Sequence, residues 1–414
     1  MAETDTDTLP ADEADSFRAR CRAFLDEHVG SPDNAATAEP PDDPDGSVGV
    51  AEGKAFQAEL AEAGLAGLIY PAEYGGAGLT NAHDRIWREE AAQTPPPTAQ
   101  LTISHGMCMP MLAEYGTDDQ KAQFLADNIA AKTVWCQMFS EPGAGSDVAS
   151  LQMRAVLDGD EWTLNGQKVW TTLAHLCDYG IVIARTNPSA PKHRGITMFI
   201  VDMNAPGVEI RRIQQIDGGA RFNEIFFTDV RIPKSWQLGP LDEGWRLATA
   251  MLMYERVAIG TGQTSGIRTP RFDTCAAEAQ RRGSHTDPAI RQSLMDLYSR
   301  EVCMSLVAMR TRAELQAGRT PGPGGSLGKL AGAMAARVYR DLSLQIVGAD
   351  GQAWAEDGGE EWAMNAISTL ASGIAGGTNE IQRNIIGDRV LGLPREPSLD
   401  KDTPFADLQV GTQA

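Results

Sequence analysis

The sequence predicts an α+β multidomain chain: an N-terminal helical domain, a central β-barrel or sandwich, and a C-terminal helical bundle. Two changes of hydrophobic period carry that expectation. At about Val134 helical spacing gives way to short runs rich in β-branched and aromatic residues, and from Glu243 the helical period returns in long segments. The expected boundaries are 1–133, 134–242 and 243–393, followed by a polar, loose tail at 394–414. A chain of 414 residues has room for two or three such domains.

Residues 1–12 are polar and acidic, which suggests disorder. A helix is expected over 14–29, carrying Phe17, Phe24 and Leu25. A loose Pro/Asp/Gly-rich loop is expected over Ser31–Gly53, then a helix at Lys54–Gly64 and a glycine turn at Pro71–Thr80. Helices are expected at Asn81–Gln93, Ala99–Tyr115 and Asp118–Ala130, the last opened by Thr117 and Gln120 at capping-box spacing. In the central region Asn165–Gly166, between Trp162–Leu164 and Gln167–Trp170, carries the signal of a hairpin turn. Strands are expected at Tyr179–Arg185, Ile196–Asp202, Val208–Ile216 and Phe222–Val230. The bundle is expected from Trp245–Ala279, Pro288–Ala317, Ser326–Gly348 and Glu360–Ile374.

Composition excludes several function classes. A formal charge of -20 argues against a nucleic-acid partner and against docking on an anionic membrane. No apolar run approaches a membrane span, so no membrane insertion and a cytoplasmic location are expected. Six scattered cysteines without CxxC pairing suggest reduced structural thiols, and no metal site is expected.

Four stretches could carry chemistry. Ser372–Gly392 reads as a glycine-rich turn feeding a helix capped by Thr378 or Asn379; such a junction offers unpaired N–H groups to a phosphate, though a plain loop–helix joint reads the same way. Trp135–Ser150 reads as a strand end, a Pro–Gly turn and small residues that let a cofactor approach the backbone, or as an ordinary strand-to-loop turn. Gln345–Gly351 fits a helix C-cap. On the helix at Met251–Gly262, Leu247, Met251, Glu255 and Ile259 form an i, i+4 row, which puts Glu255 within an apolar stripe. Desolvation there should raise its pKa, unless an Arg from elsewhere pairs with it.

These strings together resemble the acyl-CoA dehydrogenase family, flavoenzymes that desaturate acyl-CoA thioesters. The resemblance rests on Gly377, Thr378, Ile381, Gln382 and Arg383, on EPGAGSD after Phe139–Ser140, on KVWTT at Lys168–Thr172, on PAEYGGAG, and on QIVGADG, and covers nearly the whole chain. It implies FAD contacts at Gln137, Phe139 and Ser140, with Ser146 near the flavin or the CoA pyrophosphate. It also implies Trp170 and Thr172 against the isoalloxazine ring, with Thr378 and Glu380 as further FAD contacts. Gln345 and Gly348 would reach the flavin of a neighbouring subunit. Where many members carry RxxFG, this chain has Arg281–Arg282–Gly283–Ser284–His285, so Arg281 or Arg282 would serve the FAD pyrophosphate. Gly376 occupies the position where many members keep a catalytic glutamate, leaving only a backbone N–H for the thioester oxygen. In isovaleryl- and long-chain-type members the base sits instead in an ER pair on the earlier helix. The resemblance therefore assigns proton abstraction to Glu255 and places Arg256 near the CoA portion. It further implies a branched or bulky acyl group, an electron-transfer flavoprotein as electron acceptor, and a homodimer or homotetramer, or a hetero-oligomer. A flavin oxidase and a non-catalytic partner subunit are the alternatives.

Overall fold

A computed structural model of the chain describes residues 9–30, 43–260, 271–316, 324–353, 359–395, 397 and 401–408. The chain divides into two compact units, Met1–Tyr254 with Leu399–Ala414, and Glu255–Ser398. The first unit opens with α1 (Ala11–His28), α2 (Ser47–Glu62), α3 (Asn81–Gln93), α4 (Met109–Tyr115) and α5 (Asp118–Ile129). Thr117 and Gln120 close the expected capping box on α5. The buried Glu90 carboxylate of α3 is clamped by Arg18 and Arg22 of α1.

Eight strands follow: β1 (Trp135–Met138), β2 (Arg154–Asp158), β3 (Glu161–Thr172), β4 (Tyr179–Arg185), β5 (Ile196–Asp202), β6 (Val208–Ile213), β7 (Phe222–Pro233) and β8 (Gln237–Leu238). They form one mixed sheet in the order β6-β7-β3-β2-β4-β5-β8, with β1 parallel to β4. The period of two sorts β4 and β5 onto two cores. Ile181, Ile183, Met198 and Ile200 pack with Phe24, Phe56, Leu112 and Phe124 of the helices. Val182, Ala184, Phe199 and Val201 pack with Trp162, Leu164, Phe227 and Ile232. Both strands are therefore buried on both faces, which explains their near-continuous apolar sequence. No helix among the described residues is long and apolar enough to cross a membrane.

Helix α6 (Gly244–Gly260) runs from the first unit into the second. The second unit holds α7 (Phe272–Arg281), α8 (Pro288–Gln316), α9 (Gly324–Val347), α10 (Ala349–Ala353), α11 (Gly359–Ser368) and α12 (Asn379–Ile385). Its core joins Cys275 and Ala279 of α7, Leu294 and Leu297 of α8, Tyr339, Leu342 and Ile346 of α9, and Trp362 of α11. The expected segment Trp245–Ala279 is two helices here, with 261–270 outside the described residues.

Three expectations are corrected. Asn165–Gly166 is not a hairpin turn: it lies inside β3, where the pairing with β7 shifts between Leu164 and Gly166. Asn165 exchanges hydrogen bonds with Asp229, donating through Nδ2 (3.0 Å) and accepting from Asp229 N (2.9 Å), so the same residue types build a bulge. The chain reverses instead between the paired Asp158 and Glu161. Helix α2 starts at Ser47, inside the stretch expected to be a loop, because the Asp43 carboxylate accepts from Val48 N and Gly49 N and satisfies its first turn. The tail is not wholly loose either: Phe405 is buried in the first unit.

The turn at Pro71–Thr80 is as expected, built on a 3-10 turn at Ala72–Tyr74. A Cβ placed on Gly76 would collide with the backbone carbonyl of Tyr70. Gly76→Ala is therefore expected to destabilise the protein by about 1–3 kcal/mol, the usual size of an overpacking cost, read from the urea unfolding midpoint.

Candidate active site

In the first unit the site is built where β1 ends beside β3. The pairing of β3 with β7 slips a second time between Lys168 and Thr171, so Val169 and Trp170 stand opposite a single residue of β7. Val169 N turns away to donate to Ser140 O (2.9 Å), tying the strand-end segment to the bulge. Trp170 adopts φ +61, a left-handed conformation that bulky residues rarely take. The residue is 60% exposed, and Phe222 meets its ring edge-on. An indole so displayed is a flat apolar platform awaiting a partner, rather than a core residue. Phe139 is buried beside it in sequence register, and Gln137, Ser140 and Thr172 are half-buried.

What fixes this geometry is a buried ion pair that sequence reasoning missed. Lys168 Nζ, fully buried, donates to Glu141 Oε1 (2.8 Å) and to Phe139 O (3.1 Å). The Glu141 carboxylate also accepts from Gln152 N (2.7 Å) and Met153 N (3.1 Å). Burial pushes the Lys168 pKa down, opposed by the charge and hydrogen bond of Glu141. The only sequence signal was the pairing of a Lys inside a strand with the Glu of EPGAGSD. Ser146 is exposed on the far side of that turn, and Asp147 beside it bonds Ser150 and Lys192.

The second unit holds the glycine turn. Gly376 and Gly377 are both left-handed, at φ +64 and +84. Gln382, 1% exposed, reaches back and donates from Nε2 to Gly376 O (3.0 Å). Thr378 caps α12 by accepting from Ile381 N (3.2 Å), and Glu380 is exposed, paired with Arg383. On α9 and α12, which pack together, several buried polar atoms have no hydrogen-bond partner among the described residues: Ser326 Oγ and Lys329 Nζ on α9, and both amide atoms of Asn379 on α12. Burial lowers the Lys329 pKa, with Glu380 opposing. At the other end of α9, Gly348 is a left-handed C-cap and Gln345 is exposed. Of the two candidate arginines, Arg282 braces this end by bonding Asp350 and Glu278, whereas Arg281 is exposed and shares the Glu278 carboxylate. These contacts, that of Arg281 first, hold Glu278 down at about 2 despite burial. Glu255 and Arg256 fall on α6, but their side chains lie outside the described residues. The row that leads to Glu255 is anchored: Leu247 and Met251 are fully buried.

Comparison with known proteins accounts for this arrangement. Models of the N-terminal, middle and C-terminal domains of acyl-CoA dehydrogenase match residues 11–132, 136–230 and 242–391. The chain belongs to the acyl-CoA dehydrogenase family, flavin oxidoreductases whose cofactor is FAD. It is 39% identical to acyl-CoA dehydrogenase IpdE1 of Mycobacterium tuberculosis, over 83% of this chain and 89% of that protein. It is 35% identical to acyl-CoA dehydrogenase FadE34 of the same organism, over 82% of this chain and 46% of that one. Among solved structures it resembles the Tcur3481-Tcur3483 steroid ACAD (TM-score 0.73, 27% identity, 94% of this chain and 99% of that one). It also resembles the ChsE4-ChsE5 complex from Mycobacterium tuberculosis (TM-score 0.70, 28% identity, 94% and 99%). The residues present fit the flavin: an unburied indole, two hydroxyls and an amide suit a planar, uncharged heterocycle.

Removing one partner of a buried pair strands the other. Lys168→Met is expected to cost about 3–5 kcal/mol of unfolding free energy, while Lys168→Met with Glu141→Gln should recover most of it. A urea double-mutant cycle measures both; a single variant as stable as the parent would contradict the assignment.

Proposed function

We propose that this acyl-CoA dehydrogenase desaturates the α,β-bond of a branched or bulky acyl-CoA thioester, with Glu255 as the base. The observation that carries the reading is the exposed, left-handed Trp170 close to Ser140, an aromatic platform whose face no described residue covers. FAD, when bound, accepts the hydride that leaves the β-carbon. In the first unit Gln137, Phe139, Ser140, Trp170 and Thr172 would hold it; in the second, Thr378 and Glu380 are assigned to FAD, Arg281 to its pyrophosphate, and Gln345 and Gly348 to a neighbouring subunit's cofactor.

Glu255 removes the α-proton. It follows the buried Leu247 and Met251 on α6 at i, i+4 spacing. Gly376 contributes a backbone N–H to the thioester oxygen, a donor that survives the loss of an acidic side chain at this position. Without a Cβ, Gly376 also leaves space beside the reacting carbons, which is what a bulky acyl group requires. A structural relative named as a steroid ACAD points the same way. Ser146 and Arg256 are assigned to the CoA portion.

An oligomer fits the second unit. Met295, Tyr298, Val302, Leu306 and Met309 form one exposed apolar row on α8, at spacings of three and four. A second copy or a related chain would cover it; two structural relatives are two-component complexes by name. Electrons leave to an electron-transfer flavoprotein.

The deciding experiment is anaerobic mixing of the FAD-loaded protein with a panel of acyl-CoA thioesters while flavin absorbance is followed. Bulky and branched acyl groups are expected to bleach the flavin fastest; a clear preference for short linear chains overturns the substrate assignment. Glu255→Gln should retain yellow FAD yet lose on the order of 10²-fold or more in the reduction rate, the usual worth of a general base. Near-normal reduction would remove Glu255 from the mechanism.

A further inference from the structure

The C-terminal segment that was expected to be loose is tied into the first unit by main-chain bonds. Phe405 N donates to Ala190 O (2.8 Å), Ala406 N donates to Pro188 O (2.9 Å), and Pro404 pairs with Pro191. This places the buried Phe405 ring over the guanidinium of Arg185, 3.8 Å from ring centroid to Cζ.

Arg185, the last residue of β4, is 3% exposed. Nη1 donates to Lys192 O (2.8 Å) and Arg194 O (3.1 Å), and Nη2 donates to Ala149 O (2.7 Å). Its Nε has no acceptor among the described residues. Carbonyls from two separate segments, 147–150 and 187–195, thus converge on one cation. The Lys192 ammonium, 3.1 Å from the Asp147 carboxylate, joins the same two segments from the outside. A buried guanidinium satisfied mainly by neutral carbonyls is poorly compensated: burial pulls its pKa down to about 10, with Glu141 and Asp242 opposing. The Phe405 face supplies the missing stabilisation and excludes water from the cation.

We propose that Phe405 is a positioning residue for the coenzyme A end of the substrate, acting through Arg185 to hold the 146–150 segment in place. The proposal rests on the reading above that Ser146 meets the CoA portion. The chain of contacts runs from the tail ring to the guanidinium, from the guanidinium to Ala149 O, and so to the turn that carries Ser146. It also explains why a tail that follows the whole dehydrogenase fold returns to the first unit.

The test compares the full-length, FAD-loaded protein with Phe405→Ala, Phe405→Leu and Phe405→Tyr. Two readouts are used: steady-state kinetics with the best thioester of the panel, and peptide-resolved hydrogen exchange without substrate. Phe405→Ala is expected to raise KM about three- to tenfold, the scale of one partly desolvated cation–π contact, and to leave kcat within about twofold. Phe405→Leu, which keeps bulk and loses the ring face, should move KM the same way, and Phe405→Tyr should restore it. Exchange should quicken in 145–153 and 187–195 in the alanine and leucine variants and stay at the parent rate in the tyrosine variant. Unchanged exchange there overturns the proposal, as does faster exchange with an unmoved KM. If the parent turns over no thioester, the functional reading fails, and the exchange comparison still decides whether Phe405 holds the two segments. Should the alanine variant not fold, the leucine–tyrosine contrast carries the decision alone.

Discussion

An ammonium and a carboxylate, Lys168 and Glu141, sit 2.8 Å apart in the interior of the first unit, where neither could remain without the other. Desolvating two charges costs several kcal/mol each, and only a full set of partners offsets it. The set is present. Glu141 takes the ammonium and two backbone N–H groups, and Lys168 adds the Phe139 carbonyl. Three stretches of chain meet on this pair: the end of β1, the 152–153 backbone and β3. The bulge at Val169 and Trp170 follows directly on Lys168, is tied back through Val169 N to Ser140 O, and leaves Trp170 exposed. The platform thus follows, along β3, one member of a buried charge pair.

The second unit reaches rigidity by other means. One carboxylate, Glu278, gathers Arg281 and Arg282, and Arg282 continues to Asp350 at the far end of α9. The glycine turn before α12 is held by the buried Gln382 amide and the Thr378 cap. The C-terminal end of α9 thus carries a polar clamp, and Tyr339 and Leu342 of the same helix share a core with Leu297 and Trp362. Buried polar atoms without a hydrogen-bond partner among the described residues occur on both α9 and α12, which pack together, at Ser326 and Lys329 of α9 and Asn379 of α12.

Much of this was legible in the residues alone. The change of period at Val134 and Glu243 located the three-part architecture, and the ends of β4 and β5 were read correctly because both strands are apolar on both faces. Thr117 with Gln120, and Thr378, are local devices whose partners lie three residues away, so sequence spacing was enough. The failures came from contacts that composition and periodicity do not register. Asn165–Gly166 has the composition of a hairpin turn, and only its pairing with Asp229, 64 residues on, makes it a bulge. Ser47 starts a helix because Asp43 satisfies its N–H groups, against a background of Pro and Gly that argues for a loop. Phe405 was lost in a polar tail because one buried ring leaves no periodic trace. The Lys168–Glu141 pair spans 27 residues, and nothing in either neighbourhood announces it. Motifs pointed to the family, then, but not to the forces that shape these turns.

The backbone at Gly376 has a bearing on which residues this turn accepts. A φ of +64 is open to glycine at no penalty, whereas a residue with a Cβ pays about 1–2 kcal/mol there. The Gln382 amide, bonded to the Gly376 carbonyl, resists relaxation to another conformation. Placing an acid at this position would therefore bring backbone strain before any benefit, so the main chain of this turn favours glycine over any residue with a side chain.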